Sequence, residues 1–256
     1  NKFSKNKFSN NKIKAPSNQN FFLWGKHALE AAIINKKRNI IKIYHTNEMY
    51  DWINEKLKNS NRSSEKLNEI EKKDLDHHAL SSPHQGVMAE VEPLTWLHLE
   101  DYVEKNTDKM SLVLLDQLTN SQNIGSILRT ASAFNVDGVV ITKNNTPMEN
   151  GVMARAAAGA IETMPLIRVT NLSRSIEYLK KNNFFVIGLE KHGKENISEC
   201  VGNPQTALVL GSENLGLRRL TKEKLSTSAK IPIAVQTESL NVSNAAAIAL
   251  YVIQKN

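Results

Sequence analysis

The chain has 256 residues, 40% of them hydrophobic, a formal charge of +7 and a pI near 9.3. That supports one large domain or two smaller ones, and the single cysteine, Cys200, excludes a disulfide framework and a cysteine-based zinc site. No apolar run approaches membrane-spanning length, so the expectation is a soluble cytoplasmic protein whose positive charge favours an anionic partner, nucleic acid being the commonest.

Residues 1–20 are largely Asn, Ser and Lys with little to bury, which predicts a disordered basic tail. Residues 1–29 carry six lysines and no acid, so a solvated tail and an RNA-tethering arm are both open readings. A mitochondrial transit peptide is disfavoured because it would be Arg-rich, and the first arginine here is Arg38. Order is expected from FFLWGKHALEAAIINKK, where Gly25 starts a helix with Leu29, Ala32 and Ile33 on one face. NIIKIYHT reads as a strand and MYDWINEKLK as a helix. A charged segment, KLNEIEKKDLDHHAL, follows, and then the alternation of GVMAEVEPL puts Val87, Ala89 and Val91 on one face. These elements predict a small α/β domain over residues 21–95, followed by a linking helix and loop over 96–110.

From residue 111 to 256 the pattern changes. SLVLLDQ, GVVITK, PLIRV, FFVIGLE and TALVLGSE are strand candidates, separated by helical patterns at 124–134, 151–161, 172–182 and 217–225. Such alternation predicts an α/β domain with a mostly parallel sheet covered on both faces. Three segments put polar groups where strands end or helices begin: LLDQLTNSQNIGSILRTASAF, LVLGSENLG and SLNVSNAAAIALYV. Ligands of α/β sheets bind at the carboxyl ends of strands, so the three imply one composite site.

A helical arginine is ordinarily a surface cation. Arg129, however, follows Asn123 by six residues and Gly125 by four, near the expected start of a helix whose N-terminus attracts anions. A guanidinium there suits a phosphate or a developing oxyanion. In GSENLG, Ser-Glu replaces the small residues that a pyrophosphate approach requires, so this is no dinucleotide fingerprint. Glu213 either orients a substrate group or caps the next helix. Capping accounts for one or two of Ser239, Asn241, Ser243 and Asn244, but not for four. His77, His78, His84 and His192 lack metal-ligand spacing and read as surface or loop residues, and no metal is expected.

Taken together and in this order, NIGSILRTA, LVLGSENLG and IPIAVQTESLNVSNAAA resemble the three motifs of the SpoU family of RNA ribose 2′-O-methyltransferases, over residues 111–256. WGKHALEAAI and HQGVMAEVEPL resemble the small ribosomal-protein-like substrate-recognition domain of the subgroup that modifies a guanosine of large-subunit ribosomal RNA. The tRNA-modifying cousins lack that domain. The resemblance implies a C-terminal segment threaded as a deep trefoil knot, a topology no periodicity argument proposes. It implies S-adenosyl-L-methionine held in the knot loops at Gly211, Ile231 and Leu240, largely through backbone groups. It implies that Arg129 activates the ribose hydroxyl within a polar shell of Asn123, Glu213, Ser239 and Asn241, and that two subunits pair through the knotted domain. The chain departs from the family in two places: NSQN replaces an Asp-Pro-containing turn before Asn123, and Val235 stands where Gly is usual.

The implied activity is methylation of an RNA ribose, on a guanosine of large-subunit rRNA; a tRNA ribose methyltransferase and an inactive RNA-binding assembly factor are the alternatives. A sulfonium methyl is already electrophilic, so the protein mainly positions the ribose oxygen, which can supply roughly 7–11 kcal/mol. Two roles for Arg129 stay open: a base with a strongly depressed pKa, or a cation stabilising the forming alkoxide while a phosphate or water takes the proton. Lys26, His27 and Arg38, near the first helix of the 21–95 domain, are expected to contact RNA.

Overall fold

The computed structural model describes residues 13, 16, 19–62, 66–80, 82–105, 109–212 and 215–254. The expected tail therefore lies outside the described residues, apart from Ile13, Pro16, Gln19 and Asn20. The chain divides into two units, Asn1–Pro93 and Leu94–Asn256.

In the first unit the elements run β1 (Phe21–Trp24), α1 (Lys26–Ile34), β2 (Ile40–His45), α2 (Tyr50–Asn59), β3 (Leu67–Glu69), α3 (Lys72–His78) and β4 (Val87–Val91). The sheet order is β1-β4-β2-β3, with β4 antiparallel to both neighbours and β3 parallel to β2. The helical period of α1 buries Ala28, Leu29, Ala32 and Ile33 on one face. In β4, Met88 is as buried as Val87, Ala89 and Val91, so both faces of that strand are covered where the alternation suggested one. The charged segment between α2 and β4 supplies both β3 and α3, the latter anchored by the fully buried Leu75.

The second unit adds α4 (Leu99–Glu104), β5 (Met110–Asp116), α5 (Ser121–Ala133), β6 (Gly138–Thr142), α6 (Gly151–Ala157), β7 (Leu166–Val169), α7 (Leu172–Lys181) and β8 (Phe185–Leu189). It continues through β9 (Glu195–Asn196), β10 (Gln205–Gly211), α8 (Arg219–Lys222), β11 (Thr227–Lys230) and α9 (Val242–Gln254). Its seven strands order β7-β6-β5-β10-β8-β11-β9, and every pairing is parallel. All five expected strands form, and each is a near-continuous buried run, as a sheet covered on both faces requires. The short β9 and β11 carry too few apolar residues to announce themselves in the sequence. Helix α5 begins three residues before its expected start because Asn120 caps it, accepting from Gln122 N at 2.9 Å and Asn123 N at 3.1 Å. Helix α6 stops at Ala157 because Ala158 and Gly159 are left-handed, at φ 49° and 93°.

Residues expected to link the domains contribute to the second unit's core. Leu99 and Val103 of α4 are buried with Met110, Leu112 and Ile167, and Leu97 bonds both ways with the edge strand β7 (Leu97 N to Leu166 O, 2.9 Å; Arg168 N to Leu97 O, 3.1 Å). A fragment spanning 94–256 is thus expected to fold, whereas one starting at Met110 loses two buried side chains, Leu99 and Val103, worth about 1.5–3 kcal/mol each. Against a typical total of about 5–15 kcal/mol, the urea midpoint of the shorter fragment should fall sharply. Superimposable unfolding curves would refute this role for α4.

Cys200 is buried at 2% exposure, and its thiol donates to Glu195 Oε2 at 3.3 Å. Burial first, then the Glu195 hydrogen bond and charge, push the thiol up to about 12. The thiolate is thus disfavoured in the folded state, so this stability contribution is intact below the ordinary thiol range and is lost as pH rises toward 12. At pH 8 the native protein should resist a disulfide reagent that modifies the urea-unfolded chain within minutes; equal rates would show that the thiol is accessible. Among the described residues no helix is long and apolar enough to cross a membrane, and no three His, Cys, Asp or Glu side chains cluster as a metal site.

Candidate active site

Strand β10 ends at Gly211, where the chain turns back on itself. A Cβ on Gly211 would lie 2.2 Å from the Gly216 carbonyl carbon and 2.4 Å from Leu217 N, so only glycine lets this loop close. The register sets Asp116, the last residue of β5, beside Gly211. Its enclosed carboxylate accepts from Arg218 N at 3.0 Å and from Arg218 Nε at 2.6 Å, tying the far side of the loop to the sheet. Sequence reasoning overlooked Asp116, although an acid closing the apolar run LVLLD was the available signal.

At the C-terminal ends of β8, β10 and β11 lies a cavity of about 530 Å³, a size typical of small-molecule sites. Leu189, Leu210, Ile231, Ile233 and Val242 supply apolar wall, Gly211, Ser239 and Leu240 line it as well, and Glu190, Lys191, His192, Lys222 and Glu238 add charged or titratable groups. The three positions expected to hold a cofactor, Gly211, Ile231 and Leu240, therefore line one space, and Ser239 joins them.

Next to Leu240, Asn241 precedes α9, and its Oδ1 accepts from Ser243 N at 2.9 Å and Ser243 Oγ at 2.6 Å. Asn241 Nδ2 donates to Asn123 Oδ1 at 3.3 Å, joining the first turn of α5 to the start of α9 across 118 residues. Asn120 takes over the turn at the departure before Asn123, which is buried at 9% exposure. The second departure, Val235, is 98% exposed, in a turn closed by Thr237 N to Ala234 O at 2.9 Å. Its φ is not positive, so the backbone there has no need of glycine.

Arg129 is placed differently from its expectation. It is the ninth residue of α5, exposed on the third turn, beyond the reach of the helix N-terminus, whose field fades within one turn. It is not among the described residues lining the cavity. Glu213 lies outside the described residues.

In the first unit, the expectation for Arg38 is corrected. At 1% exposure its Nη1 donates to Glu92 O at 2.6 Å and its guanidinium sits 5.7 Å from the Phe21 ring centroid, so it braces the core and cannot meet a phosphate. His27 is exposed. The ammonium of Lys26 lies 5.7 Å from the Trp52 ring centroid, and the Lys26 N–H donates to Gln85 Oε1 at 3.0 Å.

Two regions of the chain match known sequence families: residues 110–251 the SpoU rRNA methylase family, and residues 22–97 the RNA 2′-O ribose methyltransferase substrate-binding domain. A Staphylococcus haemolyticus protein named for the TrmH family of tRNA/rRNA methyltransferases is 36% identical over 231 residues, 89% of this chain and 92% of that protein. An AdoMet-bound rRNA methyltransferase from Sinorhizobium meliloti superposes at TM-score 0.75 with 20% identity, covering 93% of this chain and 87% of that one. A TrmH/SpoU tRNA-modifying enzyme from A. aeolicus reaches TM-score 0.51 at 24% identity, over 61% of this chain and 83% of its own.

Proposed function

The chain belongs to the SpoU rRNA methylase family, and on that premise we propose that it methylates a ribose 2′-hydroxyl in RNA, on a guanosine of large-subunit ribosomal RNA, with S-adenosylmethionine as donor. The observation that carries this reading is the convergence of Gly211, Ile231, Leu240 and Ser239 on one cavity beside the Asn123–Asn241 hydrogen bond.

The cavity fits such a donor. Its volume suits a nucleoside derivative, its walls are apolar enough for an adenine, and Gly211 and Gly216, where the chain returns tightly, both line the space. When bound, the donor supplies an electrophilic methyl group on a sulfonium. The protein's share is then to hold the ribose oxygen in line and to stabilise the charge it develops. Asn123 and Asn241 fix each other's amides at the edge of the site. A guanidinium stays protonated in proteins, which favours the second of the two roles for Arg129: a cation beside the forming alkoxide, with phosphate or water accepting the proton.

Because Arg129 is exposed and outside its own chain's cavity lining, a homodimer is part of the proposal. Ile248 and Tyr251 of α9 are 40% and 50% exposed, and Tyr251 meets Phe134 at the end of α5 edge to face, 6.1 Å between centroids. Pairing two copies through α5 and α9 buries these groups and carries Arg129 toward the partner's cavity.

The first unit is proposed to select the RNA, with Lys26 and His27 as contacts. Its match to the substrate-binding domain, and the 93% coverage by the S. meliloti rRNA enzyme against 61% by the A. aeolicus tRNA enzyme, favour a ribosomal substrate met in the cytoplasm. The S. haemolyticus relative, named for both RNAs, keeps a tRNA substrate as the second reading. Mapping 2′-O-methyl groups in total RNA with and without the protein tests both. Loss at one ribosomal guanosine is expected, loss at a tRNA position selects the alternative, and no loss anywhere overturns the activity.

A further inference from the structure

Strand β8 is the middle of the three strands whose carboxyl ends face the cavity, with β10 on one side and β11 on the other. Glu190 follows it directly. A partly buried carboxylate is costly unless something holds it, and Glu190 is held from two directions. Its N–H donates to Ala229 O at 2.9 Å and its carbonyl accepts from Gly193 N at 3.3 Å. Gly193 lies so close to β11 that a Cβ would sit 2.2 Å from the Ala229 carbonyl carbon, which leaves this turn no room to shift. The side chain, 20% exposed, accepts from Lys222 Nζ through Oε1. Both residues line the cavity, flanked by Gly211 and Ile231.

We propose that Glu190 recognises the ribose of the bound donor, its carboxylate accepting hydrogen bonds from the 2′- and 3′-hydroxyls while Lys222 fixes its orientation. The inference rests on S-adenosylmethionine being the ligand of this cavity. A carboxylate offers about four acceptor positions, and Lys222 engages one oxygen. The pair is neutral overall, so it supplies directional acceptors without net charge. That suits neutral hydroxyl donors and disfavours an ammonium, which Lys222 would repel. An acid at a strand's carboxyl end serves the same purpose toward ribose in dinucleotide folds, although this chain carries no dinucleotide fingerprint. The shared element is the chemistry alone.

Calorimetry on the full chain tests this with S-adenosylhomocysteine and its 2′-deoxy and 3′-deoxy ribose analogues. The parent protein should bind each analogue about 10- to 100-fold more weakly, the usual worth of a hydrogen bond to a charged group. Glu190→Ala should weaken S-adenosylhomocysteine by a similar factor and bind the analogues no worse than the complete ligand. Glu190→Gln, which keeps an acceptor, should fall between. Tight binding of S-adenosylhomocysteine with no discrimination against the deoxy analogues by the parent, a comparison that needs no variant, overturns this inference alone. So does a Glu190→Ala protein that retains the parent's preference. Failure of the parent to bind S-adenosylhomocysteine at all overturns the reading of the cavity, and the inference with it.

Discussion

Replacing Arg129 by alanine is expected to lower methyl transfer by about 100- to 1000-fold, the range for removing one donor from a developing oxyanion, while S-adenosylhomocysteine binds within about twofold of the parent. The second half follows from the division of roles proposed above, in which Gly211, Ile231 and Leu240 hold the donor while Arg129, outside its own chain's described cavity lining, acts on the ribose. Loss of activity without loss of affinity would separate a residue acting on the ribose from one holding the donor. Arg129→Lys keeps the charge but not the planar fork, so it should recover part of the rate. A tritium-methyl assay beside calorimetry measures both quantities. Activity above a tenth of the parent rate in the alanine variant would remove Arg129 from the chemistry.

Gly211→Ala should do the reverse damage. The added methyl meets backbone in every direction that matters: the Gly216 carbonyl carbon at 2.2 Å, Leu217 N at 2.4 Å and the Gly216 carbonyl oxygen at 2.5 Å. Backbone has no rotamer with which to yield, so the return of the loop must open. Overpacking alone costs about 1–3 kcal/mol, but the larger effect falls on the cavity, since Gly211, Ser212, Leu215 and Gly216 all line it. Affinity for S-adenosylhomocysteine is expected to drop by at least about 100-fold, with a shift in thermal midpoint of only a few degrees because the sheet behind the loop is untouched. Binding within about threefold of the parent would mean that the loop is not part of the donor site.

Much of this site could be read in the chain because its chemistry departs from the packing pattern. Gly211 ends a β-branched and leucine run, and Asn241 stands before an Ala-rich helix; both are visible because neither belongs in a core. Asp116 was hidden, since one acid at the end of a strand reads as a boundary, and only the register beside Gly211 and the contact with Arg218 give it a purpose. Arg38 misled for the opposite reason. A basic residue just after the first helix, next to Lys36 and Lys37, reads as an RNA contact, and nothing local shows that the Glu92 carbonyl and the Phe21 ring enclose it. Apolar periodicity starts α5 only at Ile124, three residues late, because it is blind to the cap at Asn120, and that shift brings Arg129 toward the helix start. The order of the strands was beyond any periodicity. Alternation predicts neighbours along a sheet but cannot say that β10 enters between β5 and β8.

The contact between Asp116 and Arg218 joins residues 102 apart in the chain. Synthesis at about 5–20 residues per second leaves the β5 carboxylate without that partner for roughly 5–20 s after it emerges. Over much of the same interval the side of β5 that will receive β10 presents open amides and carbonyls, able to pair with the wrong strand. Birth on the ribosome is therefore the hazardous period for this protein. Its yield in a cell should depend on translation speed and chaperone supply more steeply than the finished molecule's stability would suggest.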